Sequence, residues 1–188
     1  MSKIEKLETV WGSIVGENIP PISHSLKSIL KSNWIRFHSL PNSKRYPENI
    51  EDENEILNRH NCVLDSIFKN GDSVFVIQCV WSDEKNKPEK PKGKGIFWKS
   101  WVINSDGLKY VLGHAYANAL KYKSGFLNDL ILLVAHDRES NIMIVGERRK
   151  VVYAPYDGGM DLIISDSEKL NELRTIHSTF LSVHPDGF

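Results

Sequence analysis

Residues 34–61 read WIRFHSLPNSKRYPENIEDENEILNRHN, a short strand, a polar turn and the start of a helix within one run. From Trp34 to Leu40 the side chains alternate faces with a period of two. Ile35, Phe37 and Ser39 share one face, which can turn to a core. Trp34, Arg36, His38 and Leu40 share the other, which sets a cation and an imidazole side by side on an accessible face. Pro41 has no N–H to give a ladder, so pairing ends there. Asn42, Ser43, Lys44 and Arg45 then form a turn, followed by Tyr46 and Pro47, because Asn and Ser bend the chain by bonding to their own backbone. The helix is expected from about Asn49 to Phe68. Asn49 is its N-cap, and Glu51, Asp52, Glu53 and Glu55 crowd the positive end of the helix dipole. Ile56, Leu57, His60, Val63, Leu64, Ile67 and Phe68 recur at helical spacing and make one stripe. His60 falls inside that stripe, as a core histidine bonded to a carbonyl would. Alternatively, Arg59 and His60 point back at the polar end of the strand. Gly71 stops the helix.

Outward from this stretch, residues 2–15 read as a short helix with Ile4, Leu7, Val10, Trp11 and Ile14 on one face. Asn18-Ile19-Pro20-Pro21 breaks it. Ser23 is placed to cap a second helix carrying Leu26, Ile29 and Leu30. On the other side, 72–81 is an apolar run with no polar face, so it belongs in the middle of a sheet. Residues 82–95, SDEKNKPEKPKGKG, are a charged, solvated loop or, on a sharper reading, an arm for an acidic partner. Strands 96–103 and 108–117 form a hairpin across Asn104-Ser105-Asp106-Gly107. Trp98 and Trp101, three apart, should fall on opposite faces, with at least one available as an interface anchor. Ser124 is the expected cap of an apolar helix over 126–135. A strand at 141–148 follows, then a second hairpin, 151–156 and 160–165, across Asp157-Gly158-Gly159. Ser165 and Glu168 have the spacing of a capping box for a last helix to about Ser182, with His177 in its stripe.

The segments WIRFHSLPNSKRYPENI and RHN resemble the N-terminal signature of a family of uncharacterised bacterial proteins, and YAPYDGGMDLI and the ending HPDGF resemble its C-terminal signature. The second is also similar to a Tyr-Asp-rich hairpin found in a larger group of bacterial domains of unknown function. The resemblance runs from about Trp34 to the C-terminus and leaves the first 33 residues outside. It implies a fold and carries no activity with it.

At 188 residues the chain has the length of one domain. The fold class expected is α+β: a mainly antiparallel sheet of about six strands with helices packed on it, a single domain over 34–188, and a helical N-terminal extension over 1–33. The 24 basic and 24 acidic residues cancel, so no global field draws the protein to nucleic acid or to a membrane. Two cysteines, Cys62 and Cys79, are too few for a disulfide framework or a zinc site. The N-terminus lacks the apolar core of a signal peptide, no segment is long enough to span a bilayer, and the expected location is the cytoplasm. No phosphate loop, dinucleotide fingerprint, nucleophile elbow or HExxH motif is present, and no cofactor is implied.

Two polar constellations remain. One is cationic: Arg36, His38, Ser43, Lys44, Arg45 and Tyr46, with Arg59 and His60. Arginine offers a planar fork for carboxylate or phosphate, and histidine moves protons near neutral pH. The other is Tyr153, Tyr156, Asp157 and Asp161 around the glycine turn. The two can satisfy one another, with Arg36 or Arg45 paired to Asp157 or Asp161 in a buried network. The expected function is a non-enzymatic protein-binding domain, such as an immunity protein that neutralises a cognate bacterial toxin. The alternative is an enzyme or small-ligand protein that holds an anionic substrate on Arg36, Lys44 and Arg45, with His38 or Asp157 moving a proton.

Overall fold

The computed structural model describes residues 1–82, 95–105 and 109–182. Most of the charged run at 82–95, the tip of the first hairpin and the HPDGF ending therefore lie outside the described residues. Seven strands form one sheet: β1 (Trp34–His38), β2 (Ser73–Ser82), β3 (Ile96–Ser105), β4 (Lys109–Lys121), β5 (Ile142–Gly146), β6 (Val151–Tyr156) and β7 (Gly159–Ile164). Their order is β1-β7-β6-β5-β2-β4-β3, and every adjacent pair is antiparallel. The fold is α+β as expected, with one strand more than the six or so anticipated. The short β1 lies at one edge, and β2, with no polar face, lies inside between β5 and β4.

Among the described residues, five α-helices cover both faces. On one lie α3 (Ile50–Ile67), α4 (Asn128–Ala135) and α5 (Ser167–Ile176). Ile56, Val63, Leu64, Ile131, Val134, Leu170 and Leu173 pack there with Phe37, Tyr153, Leu162 and Ile164. On the other lie α1 (Lys3–Ile14) and α2 (Ser23–Ile29), whose Leu7, Trp11, Ile14 and Leu26 pack with Trp34, Ile77, Val152, Ala154 and Ile163. Coverage of both faces explains why β5 and β7 are buried at every position. It also changes the reading of β1: Trp34 is buried, and Arg36 and His38 share its face without being fully open to water.

Asn49 caps α3 through its side-chain oxygen, which accepts from the Asp52 backbone N–H at 2.8 Å, a cap worth about 1 kcal/mol. Three other expected caps are corrected. The α2 N-cap is Ile22, with no side-chain bond, and Ser23 is already helical. Ser124 donates instead to Asp65 at 2.7 Å, and α4 starts after Leu127. Asp166, rather than Ser165 with Glu168, caps α5, accepting from two backbone N–H groups. That helix ends at Ile176, short of Ser182, and a 3-10 turn at Ser178–Phe180 follows.

The tryptophan expectation also fails, for a definite reason. The β3–β4 register slips between Phe97 and Lys99, so one extra residue enters the strand. A bulge reverses the alternation beyond it. Trp98 and Trp101 therefore pack against the same core, and Trp98 is only 6% exposed. Trp98 meets Trp11 edge-on, and Trp101 meets Trp81 in the same way.

Candidate functional site

Cross-strand register builds the site. Arg36 on β1 stands opposite Asp161 on β7. Its Nε donates to Asp161 Oδ1 at 2.7 Å and its second terminal nitrogen donates to Oδ2 at 2.8 Å, a bidentate pair. The guanidinium also lies over the Tyr156 ring at 4.5 Å and beside Trp34 at 5.4 Å. Burial opposes its charge, but the hydrogen bond and charge of Asp161 prevail and hold Arg36 above its ordinary pKa. Burial pushes the Tyr156 hydroxyl up to about 12.

The rim comes from the turn after β1 and from the β6–β7 hairpin. Arg45 Nε donates to Asp157 Oδ2 at 2.7 Å, and the Tyr46 hydroxyl donates to the same oxygen at 2.9 Å. The turn is fastened by the Ser39 N–H, which donates to the Gly158 carbonyl at 3.0 Å. Gly159 is required here, because a Cβ on it would lie 2.1 Å from the Phe37 carbonyl oxygen. Asn42 and Ser43 both take left-handed backbone angles, φ 54° and 56°. Such positions cost about 1–3 kcal/mol each and concentrate at functional sites.

These groups enclose a cleft of about 450 Å³, open to solvent, whose walls include Arg36, His38, Ser43, Arg45, Tyr156, Asp157 and Asp161. A second cleft of about 460 Å³ adjoins it; His38 and Ser43 belong to both, and Arg59 and Phe180 line the second. His38 is thus the wall between them. Burial, then the positive charges of Arg36 and Arg59, outweigh the Gly158 carbonyl and Asp161, and lower its pKa. The ring is neutral at pH 7, and its Nε2 is buried with no hydrogen-bond partner among the described residues.

A different polar chain lies behind β1, inside the core. His60 takes Ser39 Oγ on Nε2 at 2.7 Å and the Tyr153 hydroxyl on Nδ1 at 2.5 Å. Its partners are hydroxyls rather than the carbonyl expected. Burial alone pushes its pKa down to about 3, and burial, with a smaller contribution from Tyr122, raises that of Tyr153. His177 is likewise a core histidine, bonded to Ser66 at 3.0 Å and stacked on Phe180.

The structure therefore sorts the residues singled out in the sequence. Arg36, His38, Ser43, Arg45, Tyr156, Asp157 and Asp161 meet at the first cleft, with Tyr46 on its rim. Arg59 faces the second cleft, donates to Glu55 at 2.6 Å and lies over Phe180. Lys44 turns away to Glu48 and Asp52, at 2.9 and 2.6 Å, at the start of α3. His60 is sealed inside. Sequence reasoning missed His24 and Ser23, which α2 brings to the first cleft. Nothing in their local pattern distinguishes them, since only the placement of α2 against β7 does so. Among the described residues no three His, Cys, Asp or Glu side chains converge as a metal site would require. No described helix is long and apolar enough to cross a membrane.

A family model matches residues 22–185, which contain every residue of this site. The chain belongs to the DUF3885 family, a domain of unknown function. The DUF3885 match begins at residue 22, earlier than the signature at Trp34, and so takes in α2 and its contribution to the cleft. No curated protein and no solved structure gives a significant match.

Proposed function

We propose that this domain is a protein-recognition module, and that the cleft between β1, the turn after it and the β6–β7 hairpin is its contact surface. One observation carries the reading: both cations of the cleft are already engaged by carboxylates, Arg36 by Asp161 and Arg45 by Asp157. Pre-neutralised pairs give little pull on a free anion, since a ligand phosphate must displace a bound carboxylate. The same pairs give a rigid, patterned surface. Tyrosine and arginine anchor protein interfaces well, and Arg45 and Tyr46 stand exposed at the rim beside half-buried Tyr156. Charge patterning of this kind serves specificity and association rate.

The finer form of the proposal is an immunity protein that blocks a cognate bacterial toxin. Its support is the small α+β scaffold, the preformed charged surface and the absence of a recognised catalytic motif. The test is co-expression with the product of the gene immediately upstream. Rescue of growth, with a complex that survives size-exclusion chromatography and is lost in Arg45→Glu, is the expected result. If growth is not rescued and no complex forms, the proposal is overturned.

A further inference from the structure

The two edges of the sheet are closed off differently. At β1 the chain guards its own edge: the strand has five residues, and Leu181 returns to its free side in an antiparallel bridge with Phe37. At the other edge β3 runs for ten residues, and among the described residues no strand lies outside it. Unpaired backbone N–H and C=O groups along such an edge are a template for another extended chain. Edges are ordinarily blunted by lysine, by proline or by a bulge. In β3 there is no proline, and the bulge lies near one end, between Phe97 and Lys99. Lys99, the one charged residue of the strand, is committed elsewhere: its Nζ donates to Glu8 on α1 at 2.9 Å and lies over the Trp98 ring at 4.4 Å. From Ser100 to Ser105 the sequence carries no charge. Ile96 and Val102 are 52% and 54% exposed, large apolar side chains left in water on this edge strand.

We propose that β3 is the contact of a homodimer, in which two copies pair their β3 strands antiparallel across a two-fold axis and join their sheets into one. The backbone valence of the edge admits an extended strand and neither a small ligand nor a helix face. Among strands, β3 complements itself. Across a two-fold axis each residue meets its own kind or a near neighbour, so a charge close to the axis would oppose a like charge. The uncharged run from Ser100 to Ser105 permits that pairing. The same run has no charge with which to select a foreign strand, and charge is what ordinarily gives an interface its choice of partner. Val102, exposed as it is, gains an apolar neighbour when its symmetry mate lies across the axis. From Lys99 to Ser105 the ladder would extend roughly 24 Å, at about 3.4 Å per residue. That is a small contact among protein interfaces, so association is weak and concentration-dependent. The dimer is independent of the protein-recognition reading. The first cleft lies at the β1 edge, six strand gaps or about 29 Å across the sheet, and stays open in both copies.

The test is sedimentation velocity on the full chain over about a hundredfold range of concentration, wide enough for the weak association a small interface supplies. The mass is expected to rise from one chain to two. Val102→Lys and Val102→Glu, changes at an exposed position whose folding a thermal melt verifies, should each weaken association at least about tenfold, because like charges then face one another near the axis. Mixing the two variants at low salt should restore the dimer, since opposite charges then meet. Hydrogen exchange on the unaltered chain reads the same edge without any substitution, and backbone amides of β3 should exchange more slowly as concentration rises. A protein that stays one chain throughout, a dimer that both variants leave intact, a variant mixture that fails to pair, or β3 exchange that ignores concentration overturns the proposal. A larger assembly that grows without limit would also overturn it, because a two-fold contact closes on itself.

Discussion

Strand β1 divides two polar regions made from similar residues. Ser39 turns inward, where His60 bridges it to Tyr153 with water excluded. Arg36 and His38 turn the other way, into an open cleft, where Asp161 and Asp157 meet the cations. Both regions hold their polar groups in pairs or chains, yet they differ in kind. The inner one contains no charge: the imidazole, with its pKa near 3, stays neutral because nothing nearby repays the cost of desolvating a cation. The outer one keeps its charges because each has an opposite partner and one wall is wet. Access to water, more than residue type, sorts a histidine into structure or site.

The largest expected effect tests the inner region. A histidine whose folded pKa lies below its ordinary value binds fewer protons folded than unfolded. Stability is then complete above about pH 6.5 and falls as pH drops through the window towards the folded value. For His60 the window runs from 6.5 down to about 3. Within it the loss approaches about 1.4 kcal/mol per pH unit. His38 and His177, also lowered, add to the slope with the same sign. Urea melts between pH 6.5 and 4.5 should show this slope, and His60→Leu should be shallower by nearly one histidine's share. An unchanged slope would mean that His60 is not the neutral, sealed group described.

Next in size is the floor of the cleft. The side chains of Arg36 and Asp161 are 14% and 9% exposed. Arg36→Ala leaves a carboxylate buried alone and should cost about 3 kcal/mol. Asp161→Ala should cost a similar amount, and the double variant much less than their sum, because each single change removes the bidentate ion pair from the other residue. Additive losses in denaturant melts would show that the pair is not one unit. Tyr153→Phe is smaller. It removes one hydroxyl from His60 Nδ1 and should cost about 1.5 kcal/mol, the penalty of one buried unpaired polar atom.

The sequence made the strands and the helical stripe of α3 legible because apolar periodicity is local. It also made the two polar constellations legible as mutual partners, while leaving open which arginine took which aspartate; the Arg36–Asp161 register settles that. What it hid depends on distant contacts. The bulge at Phe97 and Lys99, which moves Trp101 to the face of Trp98, has no marker in the residues that flank it. The second covered face of the sheet depends on where α1 and α2 return. The same return brings His24 to the cleft. Lys44 looked like an anion-binding residue by its neighbours, but the carboxylates at the start of α3 are closer.

The smallest effect on stability belongs to the rim, and there the comparison is sharpest. Arg45 is 64% exposed at its side chain, against 14% for Arg36, although each bonds an aspartate at the same 2.7 Å. An exposed pair trades its Coulomb energy against hydration and side-chain entropy, so distance alone does not set its worth. Arg45→Ala should therefore leave the melting temperature where it was. Asp157 keeps Tyr46 as a donor after that change, so no carboxylate is stranded. Partner binding should fall sharply, since exposed arginine and tyrosine are the groups an interface uses. Arg36→Ala should behave in the opposite way, losing stability first and binding only through that loss. A stability loss in Arg45→Ala equal to that of Arg36→Ala would erase the distinction between floor and rim. The two variants, melted and titrated side by side, thus separate what holds β1 to β7 from what that pairing presents to a partner.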